Sequence, residues 1–217
     1  MINKVKVSVL MAVYDTHFVY VKRAIDSVLK QDFQDFELII IDDGSCFEKS
    51  EAILGYVAKH ENKIAYIRHS NRGQAQSINR GVLNSSGDFI TVIDGDDEYK
   101  PHHLSSCLQE INNFDLIAST VDAVVETEDD YFVIDRHDHE NLIHIDDCIL
   151  FGTLFGRRSV FTNFKFKDGY AADADFYHNA ERVFRVNKVN LRTYIYYRNM
   201  PNSISASLKN SYAKNMA

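Results

Sequence analysis

The chain has 217 residues, 45% hydrophobic and 25% charged, an ordinary composition for a soluble domain long enough to bury one substantial core. Its formal net charge of -7 disfavours a nucleic acid partner, and a multiply anionic substrate would need a local cation to bind. Three widely spaced cysteines (Cys46, Cys107, Cys148) suggest neither a disulfide framework nor a C-x-x-C metal site and read as buried or half-buried thiols. With no signal-peptide pattern and no apolar run near the ~20 residues of a membrane span, a cytoplasmic setting is expected.

Val5, Val7 and Val9 alternate, and Leu10 to Val13 run on into Tyr14-Asp15, predicting a first, central strand. Phe18, Val21, Ile25, Val28 and Leu29 then recur at helical spacing, giving a helix of about 14 residues. Phe36 to Ile41 predicts a second buried strand, closed by Asp42-Asp43-Gly44-Ser45. Ile53, Leu54 and Val57 mark a helix and Ile64 to Ile67 a third strand. Asn71-Arg72-Gly73 is a turn into a helix carrying Ala75, Ile78, Val82 and Leu83, which ends at Ser85-Ser86-Gly87. Phe89 to Ile93 is then a strand buried on both faces, with Asp94-Gly95-Asp96-Asp97-Glu98 directly beyond it. Four strands alternating with three helices imply an α/β fold, with a mostly parallel sheet and helices on both faces.

The second half is less regular and reads as α+β. Pro101 is expected in the first turn of a helix with Leu104, Leu108 and Ile111 on its apolar stripe. Phe114 to Val125 and Tyr131 to Ile134 are strand-like, joined by the polar run Glu126 to Asp130, and a helix is expected over Ile145 to Leu150. Asp168 to Asp175 leads into a helix through Phe176, Ala180 and Val183; Val189 to Tyr197 reads as a strand. His137-Asp138-His139 with His144 lacks metal-site helical spacing and reads as a polar loop, with acceptor recognition as a second possibility. Arg157-Arg158 reads as a turn or strand anchor. Among Tyr194, Tyr196 and Tyr197, strand alternation puts at least one in the core; an aromatic face could also stack on sugar. The chain is expected to be a single domain, 1–217, with a ligand-binding half over about 1–100, a second half over about 101–205 and a polar tail over 206–217.

Three of the first four strands end in carboxylates: Asp15, Asp42-Asp43 and Asp94 to Asp97. All fall at the C-terminal edge of the sheet, where open α/β folds bind ligands. If the segment stays extended, Asp94 and Asp96 project together with Gly95 leaving the backbone open between them. Two hard oxygen ligands there suit Mg²⁺ or Mn²⁺ carried by a phosphate-bearing substrate, and a solvated acidic turn is the competing reading. No G-x-G-x-x-G and no P-loop occurs, so phosphate is expected on a metal rather than in a glycine loop.

Four segments in one order carry a resemblance: Val7 to Asp15, Asp42-Asp43-Gly44-Ser45, Asn71-x-Gly73 with Asn79, and Gly87-Asp88-Phe89-Ile90 leading to Asp94-Gly95-Asp96-Asp97. Together they are similar to the family 2 glycosyltransferases of GT-A fold, densely over about residues 5–105 and more sparsely to about 205. The resemblance implies a UDP-sugar donor, bound by Val13, Tyr14 against the base, Asp42 on the uracil N–H, and Asp94 with Gly95 at the ribose side. It implies Asp96 as ligand of an Mn²⁺ or Mg²⁺ bridging the diphosphate, and Asp173 as the base that deprotonates the acceptor. The family's Glu-Asp pair is here Ala172-Asp173; Asp175 is the fallback base, and a helix N-cap is the alternative role for Asp173. Asp15 and Ile78 stand where Asn and Arg are common, and Arg198 could reach the diphosphate. With no tryptophan, the chain lacks the Q-x-x-R-W motif of polymerising members. The expected activity is inverting transfer of one sugar to a glycan or lipid-linked acceptor in surface polysaccharide assembly, in the cytoplasm or at the inner membrane face. A decayed nucleotide-sugar binder and a sugar nucleotidyltransferase are the alternatives.

Overall fold

A computed structural model describes residues 5–136, 138 and 141–198. The first half follows the predicted alternation: β1 (Val7–Val13), α1 (Phe18–Leu29), β2 (Phe36–Asp42), α2 (Phe47–Val57), β3 (Ile64–Arg68), α3 (Gln74–Asn84) and β4 (Phe89–Val92). The second half adds β5 (Glu98–Tyr99), α4 (His103–Glu110), β6 (Leu116–Val124), β7 (Phe132–Ile134), β8 (Leu142–His144), β9 (Leu154–Arg157), α5 (Arg158–Asn163), α6 (Ala172–Glu181) and β10 (Val186–Tyr197). Eight strands form one sheet in the order β3-β2-β1-β4-β9-β6-β10-β5, and β7 pairs with β8 in a separate hairpin. The β1–β2, β1–β4, β2–β3 and β6–β10 pairs are parallel; β9 runs antiparallel between β4 and β6. The fold is therefore α/β, in one mostly parallel sheet.

Side-chain alternation along β1 sorts the helices onto two faces. Val7, Val9, Met11 and Val13 point to a core shared with α1, α2 and α4 through Val21, Ile25, Val28, Ile53, Val57 and Leu104. Leu10, with Ile39 and Ile41 of β2, points to the other core, filled by Ala75, Ile78 and Val82 of α3, Val160 and Phe161 of α5, and Phe176 and Ala180 of α6. β1 is thus buried on both sides, which its continuous apolar run requires. In-register pairing aligns Val13 with Asp42, so the loops after β1 and β2 leave the sheet at one edge, beside the turn that follows β4.

Several expectations need correction. Leu54, Leu83 and Val183, expected on apolar helix faces, are 51%, 74% and 71% exposed: Ile53, Val57 and Val82 fill the stripes beside the first two, and Val183 lies in the turn beyond the end of α6. Pro101 lies in the turn before α4, not inside its first turn. Ile145–Leu150 is no α-helix: Ile145–Asp147 forms a single 3₁₀ turn. Cys46 is exposed at the start of α2, whereas Cys107 is buried. The expected readings of His137, His139 and the tail from residue 199 lie outside the described residues.

β10 carries an irregularity that matters for the site. Its register against β6 shifts between Val189 and Tyr194, and Arg192 adopts φ 48°. Such bulges re-aim the residues that follow them. Thr193 is left facing His103, whose Nδ1 lies 2.7 Å from Thr193 Oγ1 while its ring stacks on Tyr99 at 3.8 Å. Burial pushes the His103 imidazole down to about 3, from an ordinary value near 6.5. A folded-state value below the unfolded one means that the unfolded chain takes up the proton first, so this contribution to stability is lost as pH falls from about 6.5 towards 3. Urea unfolding at pH 7 and pH 5 should therefore show His103→Gln losing about 2 kcal/mol less than the parent chain on acidification.

Candidate active site

The apolar run of β4 ends one residue after Val92, where Ile93 N–H still donates to Leu10 of β1 at 2.9 Å. Beyond it the chain turns: Asp97 N–H donates to the Asp94 carbonyl at 3.2 Å. The segment is therefore a tight turn and not the extended stretch that would point Asp94 and Asp96 together. They are brought close by the turn itself, and each other's charge is felt. Gly95 is required by packing: a Cβ there would come 2.9 Å from Val13 Cγ1. Val13, buried, forms the floor under the turn and accepts the Asp43 N–H at 2.8 Å.

The carboxylates differ in how they are held. Asp94 Oδ1 accepts a hydrogen bond from Gln74 Nε2 at 2.7 Å, and Asp94 N–H donates to the Tyr194 hydroxyl at 3.2 Å. That hydroxyl donates in turn to Asp97 Oδ2 at 2.7 Å, and Tyr197 N–H supplies Asp97 Oδ1 at 2.8 Å. Asp96 and Asp94 stay half-buried, while Asp97 is enclosed. Burial, together with the negative charges of Asp96 and Asp173, pushes the Asp94 carboxyl up to about 7. Burial, with Asp94 and Asp96, also raises Asp97, and burial raises Asp96.

Asp173 comes from a different element, α6. It lies in the first turn of α6, whose N-cap is Ala171 at φ 56°, so the N-cap role does not apply. Its Oδ2 accepts from Phe151 N–H at 3.1 Å and its Oδ1 from Ala174 N–H at 2.8 Å. Burial still outweighs these donors and pushes the carboxyl up to about 6. Asp175 is exposed and paired with Arg136. Ala172, where a Glu would be expected, is buried.

Asp15 and Asp42 do not join this group. Asp42 is fully enclosed: its oxygens accept Ser45 N–H at 2.8 Å and the hydroxyls of Ser50 and Tyr66. Both oxygens of the Asp42 carboxylate are thus engaged by donors of the protein, and the side chain has no exposed surface. Asp15 accepts Cys46 N–H at 2.8 Å, which lowers its pKa, and Asp43 accepts Arg72 N–H and Gly73 N–H, each at 2.8 Å. These three carboxylates brace loops around the pocket. Tyr14, in the same region, is 54% exposed and open to stack on a planar ligand. Arg198 is buried, with its guanidinium donating to the carbonyls of Asp130 and Phe132, and so braces β7. Asn79 forms two hydrogen bonds with the Phe166 backbone, at 2.8 and 3.0 Å, and ties α3 to the second half. Sequence reasoning misses Gln74 and Tyr194 as partners of the acidic turn; Tyr194 carries only the alternation signal of a core strand.

The profile of the Glycosyl transferase family 2 matches residues 8–188. The chain belongs to that family. It is 30% identical over 112 residues to the succinoglycan biosynthesis protein ExoW of Rhizobium meliloti, covering 51% of this chain and 35% of that one. The chain spans about a third of the length of the first curated relatives it matches. The fold is that of S. aureus TarS in complex with UDP-GlcNAc (TM-score 0.73, 18% identity, 97% of this chain and 66% of that one). It is equally that of the mannosyltransferase PcManGT of Pyrobaculum calidifontis in complex with GDP-Man and Mn²⁺ (TM-score 0.73, 13% identity, 99% and 63%). The GT-A architecture expected from the four motifs is thereby shown.

For this family 2 domain, the question of a metal turns on the donor set. Among the described residues no three His, Cys, Asp or Glu side chains stand together as a complete metal site. What the turn offers is two half-open carboxylates, Asp94 and Asp96, with Arg23 as the cation whose charge acts on Asp96 and neutral donors on Asp94. Hard oxygens in deficit of positive charge fit a Mg²⁺ or Mn²⁺ that brings its remaining ligands from a phosphate-bearing substrate. Burial of Asp94, with the repulsion of Asp96 and Asp173 added to it, has a measurable cost in the metal-free protein. Asp94 binds its proton more tightly folded than unfolded, so its penalty is full above about pH 7 and is relieved as pH falls towards 4. In chelator at pH 8, Asp94→Asn should raise stability by about 1–3 kcal/mol, and chemical denaturation at pH 5 should show that gain largely gone.

Proposed function

We propose that this domain is a metal-dependent, inverting glycosyltransferase that moves a single sugar from a UDP-sugar to a glycan or lipid-linked acceptor in surface polysaccharide assembly. The observation that carries the reading is that Asp173 of α6 lies near enough to the turn after β4 for its charge to raise the Asp94 pKa, so that Asp94, Asp96 and Asp173 belong to one site. Inverting transfer needs a group that meets the donor diphosphate and a base for the acceptor; in this reading the turn serves the first and Asp173 the second. The ExoW similarity supports the polysaccharide setting. Such an enzyme would act in the cytoplasm or at the inner membrane face; among the described residues no helix is long and apolar enough to cross a membrane.

In this reading Tyr14 covers the base, Val13 and Gly95 form the floor of the nucleotide pocket, and Asp42 acts one step back, by fixing the loop from Ser45 onward. Asp94 lies at the ribose side and Asp96 holds the divalent cation, which when bound neutralises charge developing on the leaving diphosphate. Asp173 accepts the proton of the acceptor hydroxyl as that oxygen attacks the anomeric carbon from the face away from the diphosphate, so configuration inverts. A carboxyl raised to about 6 is well matched to a general base, being mostly ionised at pH 7 yet more basic than a free aspartate.

A thermal-shift titration with UDP, GDP and CDP, each with Mn²⁺ or with chelator, tests the donor side. A ligand at about 100 times its dissociation constant adds about 2.7 kcal/mol, so UDP with metal should raise the midpoint by about 5–10 °C. Asp96→Asn should abolish the metal-dependent part. A shift with GDP or CDP alone would overturn the UDP assignment. On the acceptor side, Asp173→Asn should bind donor normally yet lose about 10²–10⁴-fold in kcat. Because the base works unprotonated, kcat/KM of the parent enzyme should rise with pH through about 6 and level off above it.

A further inference from the structure

The acidic turn meets a cation contributed by a distant element. Arg23 lies on α1, and its Nη2 donates to the backbone carbonyl of Asp96. Its Nε lies 3.2 Å from Glu98 Oε1, and the guanidinium carbon sits 3.7 Å from the centre of the Tyr197 ring. Tyr197 closes the arrangement: its hydroxyl donates to the same Glu98 oxygen at 2.6 Å, and its N–H donates to Asp97 Oδ1 at 2.8 Å. Arg23 therefore ties α1, the turn after β4 and the end of β10 at a single point.

Asp96 itself is held differently from its neighbours. Asp94 has Gln74 and Asp97 has Tyr194 and Tyr197, whereas the contacts that act on the Asp96 carboxylate are its own N–H and the charge of Arg23. Where that side chain points is set by the backbone that carries it. The peptide group whose carbonyl Arg23 fixes is the one that determines ψ of Asp96. A lysine could bring the charge, but it lacks the planar fork that reaches a carbonyl and a carboxylate while lying flat on a tyrosine.

We propose that Arg23 is a positioning residue for the donor site: by pinning the Asp96 carbonyl it aims the Asp96 carboxylate. That Arg23 fixes the turn stands on these contacts alone; that the turn serves a donor rests on the metal-dependent reading above. A purely architectural ion pair between α1 and the sheet edge would affect folding without affecting how the turn is presented.

The test compares Arg23→Met and Arg23→Lys with the parent chain in two measurements. Hydrogen–deuterium exchange of the amides of residues 95–98 in the metal-free protein should be about tenfold faster in Arg23→Met. Calorimetric titration with UDP plus Mn²⁺ should show a loss of affinity of about 10–100-fold in Arg23→Met, with Arg23→Lys recovering only part of it. A folded Arg23→Met whose exchange and affinity match the parent within about twofold, inside the usual non-additivity of single contacts, overturns the proposal. So does an Arg23→Met in which UDP binding falls equally with and without metal. Should Arg23→Met fail to fold, Tyr197→Phe keeps the stacking face and removes the hydroxyl held by Glu98, whereas Tyr197→Leu removes both; unchanged exchange at residues 95–98 in Tyr197→Leu overturns the proposal. If the parent chain binds no nucleotide with any metal, the donor reading falls, and the exchange measurement still decides the role of Arg23.

Discussion

Carboxylates crowded at the end of one buried strand repel each other, and much of this fold is arranged around tolerating that repulsion. Asp94, Asp96 and Asp97 share a single turn, with Asp173 close enough to add its field. Each is pushed towards its neutral form by burial, a direction that water would oppose. The answer given by the fold is a shell of donors: Gln74 from α3, Tyr194 and Tyr197 from β10, Arg23 from α1. These donors hold geometry without neutralising the charge, since all but Arg23 are uncharged. A site left short of positive charge in this way gains most from a cation that arrives with its substrate, and loses stability when it has none.

Tyr194 shows how far the supporting structure extends. Its hydroxyl reaches the turn because the β10 bulge redirects the strand, and its ring fits because position 152 is glycine: a Cβ there would lie 2.1 Å from the ring. Tyr99 packs edge-on to it at 5.7 Å and spends its own hydroxyl on the Val92 carbonyl at 2.7 Å. The short edge strand β5, α4 through His103, and β10 thus form one aromatic block under the acidic turn. The block meets the carboxylates through Tyr194, whose hydroxyl bonds both Asp97 Oδ2 and the Asp94 N–H.

The first half of the fold is legible in the sequence because its signals are local. β1, β2 and β4 are apolar runs bounded by Gly and Asp, α1 and α3 have stripes at helical spacing, and the boundaries fall within a residue or two. In the second half α4, β6, β7, α6 and β10 fall close to where their patterns put them, but β9 with four residues and α5 with six are missed, and β9 owes its strand to insertion between β4 and β6 rather than to any pattern of its own. At the site, Asp94, Asp96 and Asp173 can be picked out by motif, but their partners cannot. Tyr194 is 100 residues from Asp94, and Arg23 is 73 from Asp96. The bracing bonds of Asp15 and Asp42 are hidden in the sequence for a related reason. A carboxylate at a strand end looks the same in sequence whether it faces a ligand or braces a loop, and only the N–H groups of Cys46 and Ser45 tell them apart.

That distinction bears on how the two halves divide the work. In the loops after β1 and β2, Asp15, Asp42 and Asp43 accept backbone N–H groups of Cys46, Ser45, Arg72 and Gly73, so these loops are cross-linked to one another and to the turn before α3. The second half is built otherwise. The β7–β8 hairpin meets the α6 entrance through side chains: Arg136 to Asp175, and the Tyr170 hydroxyl to the Ile134 carbonyl at 2.5 Å. Contacts of that kind can be exchanged one residue at a time without disturbing the strands that carry Asp94 and Asp96. Asn79, fixed by two hydrogen bonds to the Phe166 backbone, is where the rigid part stops and the adaptable part begins. Under the proposed function, donor chemistry would be constrained by backbone and acceptor choice by side chains, so the acceptor wall is where close relatives of this chain could diverge at least cost to the fold.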